Sequence, residues 1–157
     1  MNALLIQLKH ELSRFNSQTC EIESIFIGGG TPSTVDAKLY KPIFEMIKPY
    51  LKQDAEITSE ANPNSATYQW LCEMKILGVN RMSFGVQSFN DKKLKILNRA
   101  HNAQQAKQVI IDAKNAGFQN ISLDIIYATL GDTRELLEHD LKTAFKLPIN
   151  HISAYAL

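Results

Sequence analysis

The stretch IFIGGGTPS, from Ile25 to Ser33, decides how the rest of the sequence is interpreted. Residues that favour a strand run directly into three glycines and then into Thr-Pro-Ser. A tight turn needs one or two glycines, so a third indicates that some group must approach the backbone closely where this strand ends.

Outward from this stretch, strand and helix patterns alternate, with a strand beginning about every thirty residues. Apolar residues at helical spacing predict a helix before the first strand and between each pair of strands. Such alternation is typical of right-handed βαβ crossovers and predicts an α/β domain with a parallel sheet over residues 1–157. The open edges of such a sheet lead us to expect self-association. The predicted strands cover residues 22–27, 55–59, 81–85, 120–126 and 151–155.

The composition excludes several classes of protein. The 157 residues are 45% apolar and carry a formal net charge of +1, so the chain can form a core but lacks the basic surplus of a nucleic-acid-binding protein. No segment approaches the roughly 18 consecutive apolar residues of a membrane span. Cys20 and Cys72 lie far apart and form no CxxC pair, which favours two thiols in a reducing compartment. We therefore expect a cytoplasmic protein.

Polar and glycine residues follow the predicted strands, at the edge where α/β folds bind ligands. Together they suit a small zwitterion that also carries hydroxyl groups. Glu60 can pair with an ammonium group, and Arg99 can bind a carboxylate with two parallel hydrogen bonds. Gln87 and Asp124 can bind the vicinal hydroxyls of a ribose. The candidate site residues are Gly29, Gly30, Thr31, Glu60, Gln87, Arg99 and Asp124.

Each of these features also has a purely structural explanation, which the sequence leaves open. Pro32 could simply begin a helix. Glu60 could cap a helix, and Asp124 could pair with Arg81 or Arg99. Their occurrence at successive strand ends favours a binding site.

Five motifs in fixed order carry a resemblance to a known family: GGGTPS, SEANP, GVNRMSFGVQSF, LNRAH and ISLDIIY. The series resembles the radical S-adenosylmethionine family around oxygen-independent coproporphyrinogen III oxidase, and is most similar to its HemW branch of heme chaperones. SEANP, GVQSF and NRAH look like the chaperones, whereas the oxidases resemble EVDP, GVQDF and NREQ there. The resemblance extends from about residue 20 to the end.

The resemblance implies a partial (β/α)6 barrel whose second to sixth strands are present, with the first strand and the C-terminal domain missing. It also implies S-adenosylmethionine as cofactor, and heme or a porphyrinogen as partner. The glycine loop would lie against the methionine part of S-adenosylmethionine, the charged pair would face its ammonium and carboxylate groups, and the remaining two residues would face its ribose. The residues of the glycine loop are Gly29, Gly30 and Thr31, the charged pair is Glu60 and Arg99, and the residues that would face the ribose are Gln87 and Asp124.

The sequence departs from this family in its cysteines. The family holds a [4Fe-4S] cluster with a CxxxCxxC loop, and these residues contain no such loop. Cys20 and Cys72 match no position of it. We therefore expect a fragment of a longer protein that is not catalytic by itself, because three thiolates are needed for the cluster.

A second departure follows Asp124. The family resembles DLIYGLPGQT, whereas this chain has DIIYATLGDT. Ala128 thus stands for a glycine, Leu130 for a proline and Asp132 for a glutamine, so the shape of the loop is open.

Three functional hypotheses follow. The first is the core of a HemW-like protein in heme trafficking, the second is an oxygen-independent coproporphyrinogen III oxidase, and the third is an iron-free α/β domain that holds a phosphate or nucleotide at GGGT. Heme ligation by a histidine stays open, although surface or packing roles are favoured for most of the four. These are His10, His101, His139 and His151.

Overall fold

Strands and helices alternate along the chain in the computed structural model, which describes residues 2–16 and 20–157. This part of the chain contains five strands and six α-helices. The strands are β1 (Ile22–Ile27), β2 (Leu51–Ala61), β3 (Arg81–Gln87), β4 (Asn120–Tyr127) and β5 (His151–Ala156). The α-helices are α1 (Asn2–Ser13), α2 (Lys41–Ile47), α3 (Tyr68–Leu77), α4 (Asp91–Ile96), α5 (Ala103–Asn115) and α6 (Arg134–Ala144).

The five strands form one sheet in the order β1-β2-β3-β4-β5, and every neighbouring pair is parallel. Because strand order follows chain order, each crossover advances by one strand and the sheet curls into a half-barrel with helices outside. All carboxyl ends therefore meet at one edge. The predicted α/β class and the five parallel strands are confirmed.

The two faces of the sheet differ in polarity. On β3, Met82, Phe84 and Val86 are fully buried against the helices, whereas the alternating Ser83 and Gly85 are only half-buried and lie on the concave face. This alternation differs from the continuous apolar runs of parallel strands that are covered on both sides. The concave face is thus free to form a polar cavity.

The segment before β2 differs from its prediction. The spacing of Leu39, Ile43, Phe44, Ile47 and Leu51 predicts one helical stripe. The structure instead has a 3₁₀ turn at Ala37–Tyr40, the short helix α2, and a second 3₁₀ turn at Lys48–Tyr50. Leu51 already belongs to β2, where it pairs with Ile22.

Helix α6 also buries an unexpected face. Leu136, Leu137, Leu141 and Phe145 predict its apolar stripe, but Phe145 lies just past the helix and is 74% exposed. The fully buried side chains of α6 are instead those of Ala144 and Asp140.

The two outer strands keep one open edge each within the described residues. Phe26 on β1 and Tyr155 on β5 are exposed. Self-association through these edges stays a prediction. No helix in residues 2–16 and 20–157 has the length and apolar character that crossing a membrane requires.

The loop after β4 contains an alanine in a backbone conformation that usually requires glycine. Ala128 has φ +61°, in the left-handed region, and its side chain is exposed. Asp132 fixes the loop by accepting hydrogen bonds from the backbone N–H of Thr129 (3.0 Å) and the ammonium of Lys93 (2.8 Å). Burial raises the pKa of Asp132, but these hydrogen bonds outweigh it and the net shift is downward.

We predict that Ala128→Gly raises the free energy of unfolding by about 0.5–1 kcal/mol, because the strain of a left-handed alanine exceeds the entropy cost of glycine. Urea denaturation measures the difference. Ala116→Gly is the control: Ala116 has φ −72°, so the same change should cost about 1 kcal/mol. Equal destabilisation by both changes would contradict the prediction.

Candidate functional site

The three glycines after β1 serve two different purposes. Gly29 and Gly30 have φ +77° and +55°, with no atom within 4 Å of where a Cβ would stand, so only their conformation requires glycine. Gly28 has an ordinary φ, but a Cβ there would lie 2.5 Å from Cε1 of Phe26 and 3.0 Å from Oε2 of Glu60. The groups that approach this backbone closely are thus two side chains of the chain itself, the ring of Phe26 and the carboxylate of Glu60.

Glu60 and Asn62, at and just beyond the end of β2, attach to the glycine loop. Oε2 of Glu60 accepts a hydrogen bond from the backbone N–H of Gly29 at 3.3 Å. The amide of Asn62 donates to Oγ1 of Thr31 at 3.2 Å, and its backbone N–H donates to Oγ of Ser33 at 3.0 Å. These contacts hold the loop over the sheet edge.

Gln87 ends β3 in a strained turn. Its φ is +69°, and the N–H of Ser88 donates to the carbonyl of Val86 at 2.9 Å, which makes a three-residue γ-turn of the rarer, positive-φ form. The register with β4 also shifts between Phe84 and Gln87, as in a β-bulge. The amide Nε2 of Gln87 folds back over Gly85, where a Cβ would stand 3.2 Å from it.

Asp124 on β4 faces Glu60 across the concave side of the sheet. Burial raises the pKa of Asp124, and the negative charge of Glu60 raises it further. A hydrogen bond from Ser153 and the charges of Arg99 and His151 oppose the rise without cancelling it. Arg81 pairs instead with Glu56, 3.1 Å between Nη1 and Oε2, so the alternative pairing of Asp124 with Arg81 does not occur.

Arg99 follows α4 through a left-handed residue. Asn98 has φ +51°, and the N–H groups of Asn98 and Arg99 donate to the carbonyls of Lys95 and Leu94, as in a Schellman motif. Arg99 lines a separate depression beside His101, yet its charge still acts on Asp124. Burial lowers the pKa of His101, its bond to the Val86 carbonyl opposes this, and the charge of Arg99 lowers it further.

Five of the seven predicted site residues line one polar cavity of about 140 Å³ at the carboxyl edge of the sheet. Gly29 adjoins it through its bond to Glu60, and Arg99 lies outside it. The five are Gly30, Thr31, Glu60, Gln87 and Asp124.

Five further residues line this cavity that were not among the sequence candidates: Pro32, Ala61, Asn62, Ser83 and Gly85. The period-two alternation of β3 was a usable signal, because Ser83 and Gly85 share the face opposite the buried Phe84. Asn62 followed a strand in an Asn-Pro-Asn turn, so nothing local indicated its bond to Thr31.

Comparison with known proteins identifies the family. A family model described as the radical SAM superfamily matches residues 6–144. The chain belongs to the radical SAM superfamily. The fold agrees with this assignment: coproporphyrinogen III oxidase (HemN) from Escherichia coli superposes with a TM-score of 0.87 at 24% identity, covering 99% of this chain and 36% of that one.

Curated radical SAM relatives resemble the chain more closely in sequence. It is 38% identical over 140 residues to the heme chaperone HemW of Bacillus subtilis, covering 87% of this chain and 37% of that protein. It is 39% identical over 158 residues to the heme chaperone HemW of Haemophilus influenzae, covering 98% of this chain and 41% of that protein. The chain thus spans about two-fifths of the length of these relatives.

The radical SAM cluster does not fit the residues present. Full-length members combine S-adenosylmethionine with a [4Fe-4S] cluster, and a cluster with an open iron needs three thiolates. The sequence has two cysteines, Cys20, which is exposed, and Cys72 on α3. Within the described ranges no three His, Cys, Asp or Glu side chains are grouped as metal ligands.

We predict that Asp124→Asn stabilises the radical SAM domain at neutral pH. Because the pKa of Asp124 is raised in the folded state, stability is lost as the pH rises above the ordinary value of about 4, and the loss is complete above the raised pKa. Below about pH 4 the carboxyl is protonated in both states, so the gain should shrink there. Urea denaturation from about pH 4 to 7.5 measures it.

Asp54→Asn is the control for this change, because Asp54 lies exposed on β2. It should give no gain that grows with pH. A gain for Asp124→Asn that is the same at both ends of the pH range would show that burial of its charge is not the cause.

Proposed function

We propose that the cavity at the carboxyl edge binds S-adenosylmethionine, in the core of a HemW-like protein of heme trafficking. The observation that carries the proposal is Glu60, whose carboxylate reaches the glycine loop but pairs with no lysine or arginine in the described part of the chain. A partly buried carboxylate without a cation favours a ligand that brings one. The ammonium group of S-adenosylmethionine supplies it.

The rest of the molecule would follow the neighbouring side chains. Gly29, Gly30 and Thr31 would lie along the methionine part, because no atom lies within 4 Å of where a Cβ of Gly29 or Gly30 would stand. Gln87 and Asp124 would bind the ribose hydroxyls. Arg99 lies beyond the cavity, so the carboxylate of the ligand would extend over the rim toward it.

The cavity disfavours the iron-free phosphate-binding alternative. Glu60 and Asp124 both line it, and a phosphate placed there would meet two carboxylates. Coproporphyrinogen III oxidase activity, the other alternative, is supported by the fold comparison alone, whereas the sequence identities favour the heme chaperones.

We infer that these residues bind S-adenosylmethionine without cleaving it, because they do not supply the thiolates of the cluster. Titration with hemin, followed by the Soret absorbance, tests the heme part of the proposal separately. A chain that binds S-adenosylmethionine but leaves the Soret spectrum unchanged would remove heme from it.

Equilibrium dialysis with tritiated S-adenosylmethionine tests the site itself. We predict that Glu60→Gln weakens binding about tenfold or more, since a hydrogen bond to a charged group contributes roughly 1.5–3 kcal/mol. Glu56→Gln is the matched control, because Glu56 lies four residues earlier on the same face of β2 and pairs with Arg81.

Two results would overturn the proposal. One is equal weakening by Glu56→Gln and Glu60→Gln, which would indicate a non-specific effect of charge. The other is no binding of S-adenosylmethionine together with binding of inorganic phosphate or ATP, which would support the phosphate-binding alternative.

A further inference from the structure

The turn at Gln87 poses a physical problem. A buried residue other than glycine with φ +69° costs on the order of 1–3 kcal/mol and persists only where its surroundings enforce it. The γ-turn bond between Ser88 and Val86 is too short-range to enforce it alone. Other contacts must hold the turn.

Asp140 of α6 makes those contacts on one side. Its side chain is completely buried. Oδ1 accepts a hydrogen bond from the backbone N–H of Phe89 at 2.7 Å, and Oδ2 accepts one from Oγ of Ser88 at 2.8 Å. One carboxylate thus fixes the two residues that directly follow Gln87.

The same turn is held on its other side and at its exit. Nε2–H of His101 donates to the Val86 carbonyl at 2.9 Å. Oγ of Ser88 accepts from the N–H of Asn90, whose own side chain caps α4. The residues on both sides of Gln87 are therefore fixed, Val86 by His101, and Ser88 and Phe89 by Asp140.

A buried lysine compensates the charge of Asp140. Nζ of Lys93 lies 3.9 Å from Oδ2 of Asp140 and 2.8 Å from Oδ2 of Asp132, and the Lys93 side chain is 4% exposed. Removing a cation from a buried pair leaves an uncompensated charge, which is strongly destabilising. The three residues connect the turn after β3 to the loop after β4.

We propose that Asp140 is a positioning residue of the site: it touches no ligand, and it holds Gln87 in the cavity by fixing Ser88 and Phe89. The identity of the ligand rests on the proposed function, whereas the hold on Gln87 does not. The carboxylate does more than attach α6 to the sheet, because both of its oxygens bind the segment that aims Gln87.

Three variants test the proposal. Ser88→Ala removes the hydrogen bond to Asp140 and the one accepted from the N–H of Asn90, with little change in volume. Asp140→Ala removes both hydrogen bonds of the carboxylate, and Asp140→Asn keeps an oxygen for Phe89 and an amide for Ser88. Asn80→Ala is the control, because Asn80 also makes two backbone hydrogen bonds, 2.8 Å each to Ala55 and Ile57, at the opposite edge of the sheet.

Two readouts separate positioning from stability. The first is the nuclear Overhauser effect between the side-chain amide protons of Gln87 and the α protons of Gly85, which the fold of Gln87 over Gly85 requires. The second is the dissociation constant for tritiated S-adenosylmethionine. Urea denaturation reports the loss of stability in each variant.

We expect Ser88→Ala and Asp140→Ala to lose the Overhauser effect between Gln87 and Gly85 and to bind S-adenosylmethionine about fivefold more weakly or worse. Asp140→Asn should resemble the parent chain in both readouts. Asn80→Ala should lower stability and leave both readouts unchanged. If both readouts survive in Ser88→Ala and in any folded Asp140 variant, the proposal fails. If the parent chain binds no S-adenosylmethionine, the proposed function fails, and the Gln87–Gly85 effect alone still decides whether Asp140 positions the turn.

Discussion

Parallel pairing of five strands in chain order is the constraint on which the site depends. It brings the carboxyl ends of all strands to one edge, so that Thr31 and Asp124 line the same cavity although 93 positions separate them. The alternation of side chains along each strand then divides buried apolar residues from a polar concave face. The chemistry of the cavity is therefore set by a few positions at the strand ends.

The carboxylates near this edge differ in whether their charge is compensated. Asp140 is fully buried, and both of its oxygens are satisfied by hydrogen bonds, with Lys93 close by. Glu60 and Asp124 face each other half-buried, and the guanidinium of Arg81 pairs with Glu56 rather than with either of them. Mutual repulsion of this kind is costly in an empty cavity, and a cationic ligand relieves it.

Sequence reasoning was reliable where a pattern is local. Alternating elements predicted the sheet, and the strand ends predicted five residues that share the cavity. It failed where a contact joins distant segments: Asp140 lies 52 positions from Ser88, and a carboxylate within an amphipathic helix resembles a surface residue. It also assigned Leu51 to a helix, whereas this residue begins β2, because the helical spacing of apolar residues continues through a 3₁₀ turn into the strand.

Backbone strain distinguishes two kinds of loop at this edge. Three residues other than glycine have positive φ in the described ranges, Gln87, Asn98 and Ala128. Asn98 ends a helix, where asparagine is well tolerated, and Ala128 is exposed with its strain unrelieved. Of the three, Gln87 is buried, and both of its chain neighbours are held by hydrogen bonds, Val86 by His101 and Ser88 by Asp140. The backbone conformation of Gln87 is costly, and hydrogen bonds from His101 and Asp140 to its neighbours enforce it. This conformation places the Gln87 side chain in the cavity.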